Sequence, residues 1–248
     1  MREIEHALLS GDVDLAVHSA KDVPGELPEG LELVGVPARE DPADAWIGEA
    51  ESLAEVPEGA RVGTASLRRR AELLSLRPDL EIVELRGNVD TRLRRLAEGE
   101  LDGIVLAAAG LRRLGRASEI AFTFGLGQLT PAPGQGSLAL EARSEDAAAA
   151  QRAAAVTDRD ALIELTAERA AVNDLEASCE TPVGICARHV DGTLELRGFA
   201  GMPDGSERVT EAVEGDPGQP VALGEALVER MTAAGARELL ERAAEMVR

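Results

Sequence analysis

RVGTASLRRRAELLSLRPDLEIVELRGNVDTRLRRLAEGELDGIVLAA, residues 61–108, alternates short apolar runs with amphipathic ones. RVGTAS (61–66), LEIVELR (80–86) and DGIVLAA (102–108) read as buried strands. SLRRRAELLSL (66–76), VDTRLRRLAEG (89–99) and AAGLRRLG (108–115) carry apolar residues at helical spacing. Strands alternating with helices predict an α/β unit on a mostly parallel sheet. On the N-terminal side, EIEHALLSG predicts a helix stopped by Gly11, DLAVHS (14–19) a buried strand, KDVPGELPEG (21–30) a loop and LELVGV (31–36) a strand. REDPADAWIG (39–48), polar and proline-containing, reads as a hinge into a second domain. On the C-terminal side, LTPAPGQG (129–136) is a Pro/Gly connection, SLALEAR (137–143) a strand, and 145–155 and 160–175 are helices. PVGICARHV, TLELRGFAG and ERVTEAVEG then read as strands joined by Asp-Gly turns, and two helices finish a small α+β domain that begins near Asp158.

Length and composition fit this plan. The chain has 248 residues, 44% hydrophobic and 29% charged, which is enough for more than one core and unlike a disordered chain. No apolar run reaches membrane-spanning length, and two cysteines do not make a disulfide scaffold; the expectation is a cytoplasmic, globular protein. A net charge of −20 opposes binding to nucleic acid or anionic membrane. Of the 26 basic residues only Lys21 is a lysine; acid-rich, lysine-poor composition points to a high-salt cytoplasm, the alternative being a high-GC genome that favours arginine codons.

Against that charge, residues 61–95 hold nine arginines and only five acids, a positive island suited to an anion. GTASLRRR leads from a strand through Thr64 and Ser66 into a helix whose first amides face an oxyanion, with Arg68 and Arg69 beside them; ELRGN repeats the geometry with Arg86 and Asn88. Arg70, Arg77, Arg94 and Arg95 read as solvated helix residues. In HSAKDVP, Lys21 and Asp22 leave the C-terminal end of a strand, where α/β folds gather ligands: a cation for a carboxylate, and a carboxylate for proton transfer. PAPGQG allows close backbone approach, with Gln135 as a hydrogen-bonding group. GLGQLT lacks a dinucleotide fingerprint, and no P-loop is present. Cys179 sits among small residues in EASCETPVG; Cys186 falls in a strand pattern as a small hydrophobe, and the spacing of the two with His189 matches no zinc site. His18 and His189 read as structural and His6 as solvated.

The order HSAKDVP, GTASLRR, ELRGNVDTRL, AAGLRRLG, LTPAPGQG, EASCETPVG resembles the porphobilinogen deaminase (hydroxymethylbilane synthase) family from about Glu3 to the end. The resemblance implies two periplasmic-binding-protein-like (type II) lobes around a central cleft plus a small C-terminal α+β domain. Domain 1 would comprise 1–38 and 137–156, domain 2 residues 42–132 and the C-terminal domain 158–248, with crossovers at 39–41 and 129–136. It implies a transferase that adds four porphobilinogen units, with loss of ammonia each time, to a dipyrromethane cofactor held by a thioether on Cys179, and then releases the linear tetrapyrrole by hydrolysis. Family carry-over makes Asp22 the catalytic aspartate, facing the pyrrole N–H groups and stabilising the cation formed on deamination. It places Lys21, Ser19, Thr64, Ser66, Arg68, Arg69 and Arg86 on cofactor carboxylates, and Arg92, Arg113 and Gln135 at the substrate. No metal is implied, and a monomer is.

Two departures stand out. Family members begin with a strand–helix–strand unit carrying further Arg and Ser ligands, which this sequence lacks, so the reading expects a fragment or a misplaced start that exposes sheet edge and apolar surface. Ala65 stands where a hydroxyl residue is common. The alternatives are an inactive fragment and a non-catalytic two-lobed carboxylate- or oxyanion-binding protein; Asp22 beside Lys21, together with Cys179, argues against a plain binder.

Overall fold

The computed structural model describes residues 2–177 and 181–247. The chain opens with α1 (Arg2–Ser10), β1 (Ala16–Ser19) and β2 (Leu31–Gly35). Gly11, at φ 78°, ends α1 as its sequence predicts. The chain then crosses into a second lobe built from β3 (Asp44–Gly48), β4 (Arg61–Gly63), α2 (Leu67–Leu76), β5 (Glu81–Val83), α3 (Val89–Ala97), β6 (Gly103–Ala107), α4 (Ala108–Arg113) and β7 (Phe122–Thr123). Their sheet has the order β5-β4-β6-β3-β7. β4 pairs in parallel with β5 and β6, whereas β3 runs antiparallel to both β6 and β7.

Local chemistry sets the helix starts. Ser66 caps α2, its hydroxyl accepting from Arg69 N at 3.4 Å, and Asn88 caps α3, accepting from Thr91 N at 2.9 Å. Such caps contribute about 1 kcal/mol each. α2 stops before Pro78, which disfavours helical backbone in the residue before it.

One expectation needs correction. The second half of REDPADAWIG is not hinge but β3, a central strand. Trp46 is buried in the core on one face of the sheet, stacked on Phe122 at 5.9 Å, while Ala45 and Ile47 are buried in the core on the other. With both faces covered, the strand shows no alternation, and its short apolar run is hidden behind a polar, proline-containing lead-in. Arg77 is not a solvated helix residue either: its guanidinium donates to the carbonyls of Leu53 and Val56 and pairs with Asp79, pinning the 53–57 loop.

β8 (Leu138–Arg143) returns to the first sheet and lies between β1 and β2, antiparallel to both, and α5 (Ala147–Ala154) packs against β2 and β8. α1, β1 and the segment between them expose Ile4, Leu9, Val13, Leu15 and Val17 along this lobe. α6 (Arg159–Leu175), capped by Asp158, belongs to two cores. Its Ala161 and Leu165 pack with Ala20, Val36 and Ala139 of the first lobe, and its Ala167, Ala171 and Leu175 with the C-terminal domain. That domain is the meander β9 (Val183–Val190), β10 (Thr193–Gly201), β11 (Arg208–Gly215) under α7 (Pro220–Ala233) and α8 (Ala236–Val247). The β9–β10 turn is the expected Asp-Gly pair, with Asp191 at φ 48° and Gly192 at φ 86°. Among the described residues no helix is long and apolar enough to cross a membrane.

A buried ionic junction ties the crossing segments to α6 and β9. The two crossing segments are hydrogen-bonded to each other, Glu40 N donating to Gly136 O at 3.1 Å. Arg39, on the first, donates to Gln135 O on the second and to Ala187 O on β9, and pairs with Glu168 of α6 at 2.8 Å. Glu168 is fully buried and also accepts from Ala187 N and Gly134 N. Burial raises the Glu168 carboxyl against the pull of Arg39; burial likewise opposes the Arg39 charge, but Glu168 holds it above its ordinary value. Removing either partner would strand a buried charge, and the pair ties both crossing segments to α6 and β9.

Candidate active site

Lys21 and Asp22 lie in a single 3-10 turn (Ala20–Asp22) that follows β1 at the C-terminal end of the strand. The second crossing segment presses on this turn from behind. Gly134 adopts φ 72°, and a Cβ there would lie 2.9 Å from both Ala20 C and Lys21 N. The turn opens onto a cavity of about 390 Å³. Lys21, Asp22, Ser66, Arg68, Arg69 and Gln135 all line it, so the structure brings together residues from three separate sequence motifs.

The Asp22 carboxylate is exposed and makes no hydrogen bond or ion pair among the described residues. Lys21 likewise has no ion-pair partner there. Burial, then the charge of Arg69, push its ammonium down to about 8, with Asp22 pulling the other way.

The paired arginines are held from below. Asp44, at the start of β3 and fully buried, accepts from Arg69 Nε at 3.0 Å, from Arg69 Nη2 at 2.7 Å and from Gln135 Nε2 at 2.8 Å. Its second oxygen is 2.8 Å from Arg68 Nη1, a contact of charges without a directed hydrogen bond. Burial opposes ionisation of Asp44, yet Arg68 and Arg69 hold its carboxyl well below the usual range. Glu72, one turn along α2, pairs with Arg68 at 2.8 Å and accepts from Thr130 N at 2.6 Å; burial lifts its carboxyl to about 7 despite Arg68. Arg68 Nη1 also donates to Thr130 O at 2.7 Å, which leaves Arg68 Nε buried without a partner in the cavity lining.

Five other sequence-predicted residues, Ser19, Thr64, Arg86, Arg92 and Arg113, lie off this cavity. Ser19 is exposed at the end of β1. Thr64 is buried, its hydroxyl accepting from Ser66 N at 3.2 Å, so it shapes the entry to α2. Arg86 is exposed and pairs with Glu84 at 2.6 Å. Arg92 donates to Gly87 O, and burial, followed by the charge of Arg69, lowers its guanidinium. Arg113 donates to Gly136 O at 2.7 Å and so reaches the second crossing segment. Cys179 lies outside the described residues; Ala177 and Thr181, on either side of it, both line the cavity. Cys186 is buried in β9, its thiol pushed up to about 12 by burial, and His18 is buried against Glu141 at 2.7 Å, both as expected of structural residues.

Three lining or supporting residues were not singled out from sequence as members of the site: Asp44, Glu72 and Arg169. Glu72 left a signal, its i,i+4 spacing from Arg68 on a helix. Asp44 and Arg169 left none, because their partners are remote in the chain.

The model of the family described as "Porphobilinogen deaminase, dipyromethane cofactor binding domain" matches residues 1–151, and that described as "Porphobilinogen deaminase, C-terminal domain" matches 162–233. The chain belongs to the porphobilinogen deaminase family. The porphobilinogen deaminase of Campylobacter concisus is 46% identical over 248 residues, covering 99% of this chain and 80% of that protein. That of Thermus thermophilus is 47% identical over 243 residues, covering 97% and 80%. A periplasmic sulfonate-binding protein from Methylobacillus flagellatus is a distant structural likeness, with 15% identity, a TM-score of 0.35, and coverage of 70% of this chain and 52% of that one. The chain itself has two α/β lobes and a small C-terminal α+β domain, the layout expected from the family resemblance.

The family's cofactor is dipyrromethane, and the cavity suits it. Ala20, Val23, Pro133, Leu165, Val172 and Val183 give apolar walls for pyrrole rings, and the unpaired Lys21, with Arg68 and Arg69 in the same lining, supplies positive charge for acetate and propionate groups.

Proposed function

We propose that this chain is a transferase of tetrapyrrole biosynthesis that joins four porphobilinogen molecules head to tail on a covalent dipyrromethane primer and releases hydroxymethylbilane. The observation that carries the reading is the unpartnered carboxylate of Asp22 in one cavity with Lys21, Arg68 and Arg69 and with the residues that flank Cys179. When bound, the primer supplies the pyrrole carbon to which the first unit is joined, and each later unit joins the free end of the growing chain. Each addition breaks the aminomethyl C–N bond of porphobilinogen, releases ammonia, forms a C–C bond and loses one proton.

In this reading Asp22 stabilises the cation left when the amine departs and assists the proton transfers. Exposure to the cavity without an internal partner leaves its charge available to the substrate. Lys21, Ser19, Thr64, Ser66, Arg68, Arg69 and Arg86 serve cofactor carboxylates, Arg92, Arg113 and Gln135 serve the incoming substrate, and Cys179 holds the primer by its thioether. Asp44 and Glu72 keep Arg68 and Arg69 charged and aimed. The domains are 1–38 with 137–156, 42–132 and 158–248, and the protein works as a cytoplasmic monomer at high salt. The test is Asp22→Asn: turnover should fall by about 10²-fold or more while the protein retains the cofactor mass. Near wild-type turnover in that variant would remove Asp22 from the reaction.

A further inference from the structure

Arg169 stands on α6 and lines the cavity from the C-terminal-domain side. Its Nη2 donates to Pro24 O at 3.0 Å and to Gly25 O at 2.7 Å. Those carbonyls lie two and three residues beyond Asp22. Among the described residues no other hydrogen bond joins residues 23–27 to another element; Val23 N donates only within the turn, to Ala20 O. Asn173, one helical turn further along α6, packs over Gly25 so closely that a Cβ there would collide with its side chain. Among the described residues, the hydrogen bonds that tie residues 23–27 to another element thus come from one face of one helix, while Val23 also packs on the first-lobe core.

That helix is a firm support. The residue preceding Arg169 is Glu168, buried at the junction and bonded to Arg39, Gly134 N and Ala187 N. The end of the same helix, Leu175, leads within four residues to Cys179. Arg169 has no carboxylate partner among the described residues, and burial lowers its guanidinium. In a chain with 46 acidic residues, a half-buried arginine spent on two loop carbonyls is doing something other than neutralising charge.

We propose that Arg169 is a positioning residue for Asp22. It fixes the loop that carries the carboxylate against the helix that leads to the cofactor attachment segment, so that the reacting carboxylate and the anchored chain share one frame. The inference rests on the reading of Asp22 given above. Loss of the tie lets Asp22 drift, and misplacement on the order of 1 Å costs about 10²-fold in rate.

The test compares Arg169→Met, which keeps the stem and removes the donors, with Asp22→Asn and the double variant, all in the full chain. Arg169→Met should lower kcat by about 10–100-fold with KM within about threefold, and should lower the backbone amide order parameters of Val23 and of residues 25–27 while those of α6 are unchanged. The double variant should be within about twofold of Asp22→Asn alone, because the two residues act as a unit. Wild-type kcat in Arg169→Met beside an inactive Asp22→Asn overturns this inference and leaves the role of Asp22 intact. An active Asp22→Asn overturns both. Fully additive losses also overturn it, since Arg169 would then act independently of Asp22. If Arg169→Met does not fold, Arg169→Leu decides on order parameters alone: unchanged order at 23–27 would refute the tie.

Discussion

Replacing Asp44 by Asn tests the electrostatic floor of the site. The side chain keeps its shape but loses its charge, and Arg68 and Arg69, both buried, keep theirs. Three hydrogen bonds of 2.7–3.0 Å to Asp44 Oδ1 and an ion contact of 2.8 Å to Oδ2 lose their anion. One counter-charge remains, Glu72, and it pairs with Arg68 and not with Arg69. Breaking one side of a buried pair costs about 3–5 kcal/mol. For a chain of this size each kcal/mol shifts Tm by about 2–4 °C, so the cofactor-free variant should melt about 6–20 °C lower. Cofactor carboxylates would supply the missing anion, so loading should raise Tm more in Asp44→Asn than in the wild type. Scanning calorimetry at fixed salt on both proteins, cofactor-free and loaded, measures this. A cofactor-free Tm within about 2 °C of wild type, or equal gains on loading, would refute the argument.

Two further outcomes follow from the same geometry. Lys21, pushed down to about 8, should impose an alkaline limb on kcat/KM near that pH, and Lys21→Arg should remove it. Stability has the opposite sign: between pH 8 and 10.5 the unfolded chain holds the proton that the folded one has lost, so Lys21 makes the fold more stable as pH rises, and titration of both variants checks the two signs together. Gly134→Ala forces a left-handed alanine at a cost of about 1–2 kcal/mol and drives its Cβ against Lys21 N; Tm and kcat should both fall, and an unchanged kcat would show that the crossing segment does not set the Lys21–Asp22 turn.

Most elements were legible because their signals are local. The Ser66 and Asn88 caps, the Asp191–Gly192 turn and the period of α6 depend on a few neighbouring residues. β3 was hidden because a strand covered on both faces has no alternation to show, and only the fold reveals that Trp46 and Ile47 face different cores. The arginine island was readable as a site for anions, but not its internal accounting. Asp44 is 25 residues from Arg69 in sequence, and nothing near it marks it as the acid beneath that guanidinium. Arg169 looks like any helix arginine until the loop carrying Pro24 and Gly25, 145 and 144 residues earlier, is folded against it. Pairs formed across the chain by topology leave no periodic trace, whereas caps, turns and amphipathic faces do.

The most direct test of the account is the intact mass of this chain, purified in high salt and exposed to porphobilinogen, with Cys179→Ser treated in parallel. The account predicts an adduct of two pyrrole units on the wild type and none on the variant. No adduct on either protein, or the same adduct on both, would contradict it.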